Sequence, residues 1–148
     1  MLFRSVDDGN EVAPAFSVTV SDGTDSSNTL AATISYTPVN DAPTVTSASL
    51  TVSEGQTVTL SGANFGVTDP DSASFTYTVS GVAGGLFQLT SAPGVAITSF
   101  TSAELSGGLV QFVDDGNEVA PAFSVTVSDG TDSSNTLAAT ISYTPVND

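Results

Sequence analysis

Along most of the chain apolar residues recur at every second position. Phe75, Tyr77 and Val79 alternate with Thr76, Thr78 and Ser80, which is the period of a strand with one face buried. Phe123, Val125 and Val127 alternate in the same way with Ser124, Thr126 and Ser128, and Leu137, Ala139, Ile141 and Tyr143 with Ala138, Thr140 and Ser142. Shorter apolar alternations lie at 50–52, 58–60, 86–89 and 109–113. Thr and Val suit a pleated, half-buried surface, while Gly, Asp, Asn and Pro fill the gaps between the runs. About seven short strands, punctuated by Asp-Gly and Gly-Gly, predict an all-β fold, an antiparallel Greek-key β-sandwich. One helical turn is expected where Thr101-Ser-Ala-Glu104 fits a capping box and Gly107 can end it. Glu104 is then a cap rather than a ligand.

The pattern also repeats on a longer scale. The 36 residues 6–41 recur letter for letter as 113–148, at an offset of 107. Residues 42–148 therefore read as one complete repeat and 6–41 as the C-terminal third of the repeat before it. The opening MLFRS, residues 1–5, does not follow the repeat: Ser5 stands where the copy has the strand residue Phe112. It is expected to be a leader not native to the protein. A core tolerates many apolar exchanges, so packing alone does not demand identical letters, and recent duplication is the simplest cause. Residues 6–41 supply only the last two strands of a sandwich, too few for stability. They carry the letters of 113–148, so both copies compete for one place in the sheet, and strand exchange is expected.

Charge narrows the function. Sixteen acidic residues face one basic residue, Arg4, for a net charge of −15. Residues 42–148 hold no Lys or Arg, which argues against nucleic acid and against anionic membranes, since both need cations on the protein. No apolar run is long enough for membrane insertion of this segment. With no His and no Cys, the usual general base, thiol nucleophile and zinc ligands are missing. Asp114 and Asp115 are neighbours whose side chains diverge in a strand, a poor glycosidase pair. No EF-hand loop, Walker motif or dinucleotide glycine motif is present. The Phe and Tyr sit in strand phase and read as core rather than as a sugar platform. An enzyme is not expected.

The acids cluster in predicted loops: Val39-Asn40-Asp41-Ala42-Pro43, Ser53-Glu54-Gly55, Asp69-Pro70-Asp71, Asp114-Asp115-Gly116-Asn117-Glu118 and Val127-Ser128-Asp129-Gly130. Each alone is ordinary turn chemistry, and together they can be a solvated surface. As a set they also offer the carboxylate, amide and carbonyl oxygens that Ca²⁺ takes six to eight of. No cationic side chain in the repeat can relieve their repulsion.

At these residues a resemblance appears. FSVTVSDGTDSSNTLAATISYTPVNDAP resembles the closing pattern of cadherin repeats: an alternating strand ending in Asp-Gly, another strand, then Asn-Asp and Pro. LTVSEGQTVTLSGANFGVTDPDSASFTYTVSG, the turn TSFTSAEL and VQFVDDGNE are similar to the cadherin-like repeats of chondroitin sulfate proteoglycan type. Repeats of that kind also stand in tandem in very large bacterial surface proteins and adhesins. The resemblance covers essentially all of 42–148 and implies a cadherin-like, immunoglobulin-like sandwich, secreted or at the cell surface. It implies Ca²⁺ held where consecutive repeats meet, with neighbouring identical repeats as partners. By motif, the ligands would be Asn40, Asp41, the Ala42 carbonyl, Asp69, Asp71 and Asp129, with Asp8 and Glu11 from the preceding repeat. At the next junction Glu54, Asp115 and Glu118 would meet Asn147 and Asp148. The linker lacks the cadherin acid that precedes Asn40, and Ala42 replaces an Asn, so fewer ions per junction are expected. The expected role is a Ca²⁺-stiffened structural spacer of an adhesin, with direct binding of a surface glycan or protein as the alternative. Pro38 and Pro43 restrict the joint, and a plain linker held by them is the alternative to a metal-bridged one.

Overall fold

The structure is a computed structural model and describes residues 4–147. The chain divides into two compact units, Met1–Asn40 and Asp41–Asp148. In the first, β1 (Ser17–Val18) pairs antiparallel with β2 (Leu30–Ala31), with Ser17 opposite Ala31 and Val18 opposite Leu30. A further bridge joins Ser21 to Ser26. Phe16, Val18, Val20 and Leu30 are exposed.

The second unit is all-β apart from two short turns of helix. Its strands are β3 (Thr44–Ser53), β4 (Thr57–Thr59), β5 (Phe65–Thr68), β6 (Thr76–Ala83), β7 (Gly85–Leu89), β8 (Ser99–Thr101), β9 (Val110–Asp114), β10 (Ala122–Ser128), β11 (Leu137–Ala138) and β12 (Thr140–Thr144). They form three sheets of order β11-β10-β6-β8, β12-β3-β5 and β4-β9-β7 around one core, the layering of a β-sandwich. About seven strands were expected, and ten form because β5 and β8 lie outside the expected runs and the run 137–143 is split into β11 and β12. A 3-10 turn at Gly62–Asn64, capped by Ser61, separates β4 from β5. At Ala139 the chain leaves β10, which β11 pairs, and joins β3, which β12 pairs. That second pairing is parallel, Thr140 opposite Ser49 through Thr144 opposite Ser53, whereas the other pairings are antiparallel.

Alternation decides what is buried. Val125 and Val127 of β10 face Val79 and Tyr77 of β6 in register, and all four are buried. In β3 a register shift between Val45 and Ser47 resets the phase, so the inward residues are Val45, Ala48, Leu50 and Val52. The centre is aromatic: Phe87 meets Phe123 edge-on at 4.9 Å and Phe112 at 5.2 Å, and Tyr77 stacks on Phe100 at 5.3 Å. Such pairs add to the area they bury. Gly85 allows this closeness, since a Cβ there would lie 2.3 Å from the Val113 carbonyl oxygen and 2.5 Å from the Phe112 ring.

The single α-turn, α1 (Ser102–Ser106), is closed as its letters predict. Thr101 Oγ1 accepts from the Glu104 N–H at 3.1 Å, and Glu104 Oε2 accepts from the Thr101 N–H at 2.8 Å. Glu104 is thus a cap. Among the described residues no helix is long and apolar enough to cross a membrane.

Candidate metal centres at the two ends of the sandwich

β3 runs the length of the second unit and defines two ends. Thr44 lies opposite Thr68 at one, and Ser53 lies beside Thr144 at the other. Nine residue steps separate them, about 30 Å at strand rise. Each end gathers carboxylates, and each contains a buried carboxylate oxygen with no hydrogen-bond donor, Asp69 Oδ2 at the first and Asp114 Oδ2 at the second.

At the first end Asp69 directly follows β5 and Asp129 directly follows β10. Asp69, Asp71 and Asp129, all half-buried, bring one carboxylate oxygen each within 4.8 Å of one another. Local turns aim them. Asp69 Oδ1 accepts from the N–H groups of Asp71 and Ser72, both at 2.9 Å. Asp129 Oδ1 accepts from those of Thr131 at 2.7 Å and Asp132 at 2.8 Å. These Asx turns leave the remaining oxygen of Asp69 directed away from any donor. The linker is tied in as well, because the Asp41 N–H donates to Asp71 Oδ2 at 2.8 Å.

The Asp69 side chain first, then the Asp41 N–H, holds the Asp71 carboxyl below its ordinary value, against burial and the Asp41 charge. Asp69 Oδ2 is left without a donor, and the unit contains no Lys or Arg to serve as counter-charge. The oxygen-only donor set and the orphaned buried oxygen fit a hard divalent cation such as Ca²⁺.

The second end is built around Asp114. It closes β9 on the inward phase set by Val110 and Phe112 and is only 4% exposed. Its Oδ1 accepts from the Gly55 N–H at 2.8 Å and the Gly116 N–H at 3.0 Å. Glu54 is half-buried beside it in the fold, and its Oε2 accepts from the Val146 N–H at 2.7 Å. The Tyr143 hydroxyl donates to the Asn117 carbonyl. Burial first, and then the charges of Asp114, Glu54, Glu118 and Asp115, push the Tyr143 phenol above its ordinary value.

The residues expected from sequence divide accordingly. Asp69, Asp71 and Asp129 are brought together; Asp41 joins them through its backbone, and Ala42 is exposed next to it. Asn40, Asp8 and Glu11 belong to the first unit. Glu54, Asp115 and Glu118 share the second end; Asp115 is exposed and its Oδ1 accepts from the Asn117 N–H at 3.1 Å. Asn147 is exposed, and Asp148 lies outside the described residues. Asp114 was missing from the expected ligands. Its signal was present in the strand phase: taking Val110 and Phe112 as the inward pair makes Asp114 the next inward side chain.

Comparison with known proteins gives this architecture a relationship. The profile of the family described as cadherin-like matches residues 43–143. Human chondroitin sulfate proteoglycan 4 is 35% identical over 136 residues, an alignment covering 87% of this chain and 6% of that protein's length. No solved structure matches. With most of its length matched by the family profile, the chain belongs to the cadherin-like family.

Proposed function

We propose that the chain is a structural module of an extracellular array, in which Ca²⁺ bound at the ends of each sandwich stiffens the junction with the next repeat. The observation that carries this reading is the triad of Asp69, Asp71 and Asp129 with its donorless buried oxygen, in a unit devoid of cationic side chains. Asp69, Asp71 and Asp129 would hold the ion, and Asp41 would couple it to the linker through the bond to Asp71. Bound Ca²⁺ supplies positive charge that lets these carboxylates approach. At the other end Asp114 and Glu54 would be the principal ligands, with Asp115 and Glu118 around them. Binding to the ordered ends and not to the unfolded chain stabilises the former by the usual ligand term. Extracellular Ca²⁺ modules bind at about 10⁻⁴–10⁻³ M, which suits a secreted or cell-surface setting. Neighbouring repeats of the same chain are the partners in this reading.

Calorimetric titration of the full chain with Ca²⁺ tests it. Saturable binding near millimolar, weakened at least tenfold by Asp71→Ala, is expected. Absence of saturable binding by a chain that is demonstrably folded would sink the proposal.

Direct binding of a glycan or protein is a second reading. It is favoured by a groove of about 370 Å³ beside the triad, lined by Ser74, Phe75, Thr101, Ser102 and Asp129. It predicts a ligand whose binding Thr101→Arg blocks while Ca²⁺ binding persists.

A further inference from the structure

One segment accompanies β3 from end to end. The Asn135 amide bonds both the N–H and the carbonyl of Val45, at 3.0 and 3.1 Å. Further on, Thr140 to Thr144 of β12 stand opposite Ser49 to Ser53 in parallel. Past the last pair the Glu54 N–H donates to the Thr144 carbonyl at 3.0 Å, and the Val146 N–H donates to Glu54 Oε2 at 2.7 Å. Residues 135–146 thus follow 45–54 in one direction, at a separation that only drifts from 90 to 92 positions.

The chain enters β3 at Thr44 and leaves β12 at Thr144, at opposite ends of this parallel run. Tension between entry and exit therefore pulls the two strands past each other along their axes. The bonds of a parallel ladder are evenly spaced, so each takes part of the pull and none opens first. Slip is resisted too. Leu50 and Val52 are buried and Ser49 and Thr51 exposed, so moving β3 by one residue would turn hydroxyls inward and apolar side chains out. We infer that β3 and residues 135–146 form a shear clamp, and that a further function of the unit is to keep its fold under tension applied along the chain. The source of that tension is the array proposed above, and in this respect alone the inference rests on that reading.

The same bonds are weak when pulled from one end. Thr57 opens β4 beside Asp114, because Thr57 lies opposite Val113, and it shares the exit end with Asn147. Force between those two residues opens the Ser53–Thr144 pair first and the other four in turn, so one pair at a time resists it. The run consists of main-chain groups, the Asn135 amide and a single carboxylate, Glu54. Its strength therefore comes from the ladder and does not depend on a bound cation.

Single-molecule pulling on the full chain tests this. The chain has no cysteine, so a pair of introduced thiols fixes where force is applied. Ala42→Cys with Asn147→Cys loads the clamp from opposite ends, and Thr57→Cys with Asn147→Cys loads it from one end. Rupture under load reports the unfolding barrier. In chelator, at equal loading rate, the first pair should need a severalfold higher force than the second. It should also yield in one event that lengthens the chain by roughly 330 Å, the reach of residues 42–147 less the folded span. Asn135→Ala should lower the force of the first geometry and leave that of the second unchanged, since there the Ser53–Thr144 pair fails before Val45 is reached. Equal forces in the two geometries would overturn the inference, and so would lengthening of the first by a series of small steps. Force in Ca²⁺ against force in chelator reports the proposed metal ends separately, so the clamp and the metal reading fail on different comparisons.

Discussion

Among the described residues, Asp114 and Gln88 are the two buried polar side chains of the core, and they are treated differently. The Gln88 amide is used at both ends, donating to Gln111 Oε1 and accepting from the Gly94 N–H, each at 2.8 Å. Asp114 uses Oδ1 for Gly55 and Gly116 and leaves Oδ2 with no donor. A buried acceptor left open is costly unless a cation or water meets it. Asp114→Ala should cost about 1–3 kcal/mol in chelator, because two N–H groups lose their acceptor. Asp114→Asn should keep most of that stability and lose the response to Ca²⁺; urea unfolding of both variants with and without the ion is the check. The phenol of Tyr143 reports the same end. Its folded value lies above the ordinary one of about 10, so the folded form holds the proton more tightly than the unfolded chain. Its contribution is intact below about pH 10 and declines as pH rises through the folded value. Ca²⁺ at this end would cancel the nearby carboxylates, so Tyr143 should ionise at lower pH in Ca²⁺ than in chelator. Phenolate absorbance, compared with Tyr143→Phe, would reveal an unchanged titration if no ion binds there. Asp69, Asp71 and Asp129 were legible as a set through their motifs. Asp114 was not, because its inward phase follows from whether Val110 or Leu109 faces the core.

At the scale of elements, alternation alone located the core strands, since β6, β9, β10 and β12 carry their apolar residues at every second place. It did not locate β5 or β8, because Phe65-Gly-Val-Thr68 is short and follows a polar turn and Ser99-Phe-Thr101 carries one apolar residue. It could not show that β12 pairs parallel with β3, because partners 91 residues apart leave no trace in a local period. Two close contacts of the sandwich can be tested. Asn135 replaces a strand partner for Val45, so Asn135→Ala should cost about 1–3 kcal/mol by leaving a backbone N–H and carbonyl unpaired. The same letter at Asn28 lies in the first unit, and Asn28→Ala should leave the melting of the sandwich unchanged. A comparable loss from both substitutions would contradict the assignment. Gly85→Ala should be at least as damaging, about 1–3 kcal/mol or more, because its Cβ meets backbone and an aromatic ring at once.

At the scale of the whole molecule, the parallel β12–β3 pair sends the chain in at one end of the sandwich and out at the other. The acids follow the same geometry, with the triad at the entry and Asp114 with Glu54 at the exit. On the proposed function, acids at both ends of a unit with no cationic side chain would share divalent ions with neighbouring repeats. The repeat and its acidity could be read directly from the letters, whereas the convergence of loops at 69–71 and 129 required the fold. The most direct test is thermal unfolding of the full chain in Ca²⁺, in Mg²⁺ and in chelator. At tenfold over its dissociation constant one Ca²⁺ adds about 1.4 kcal/mol, or roughly 5–10 °C for a domain of this size. The account predicts a rise of that order, specific to Ca²⁺ and lost in Asp69→Ala. Coincident melting curves in all three conditions would contradict it.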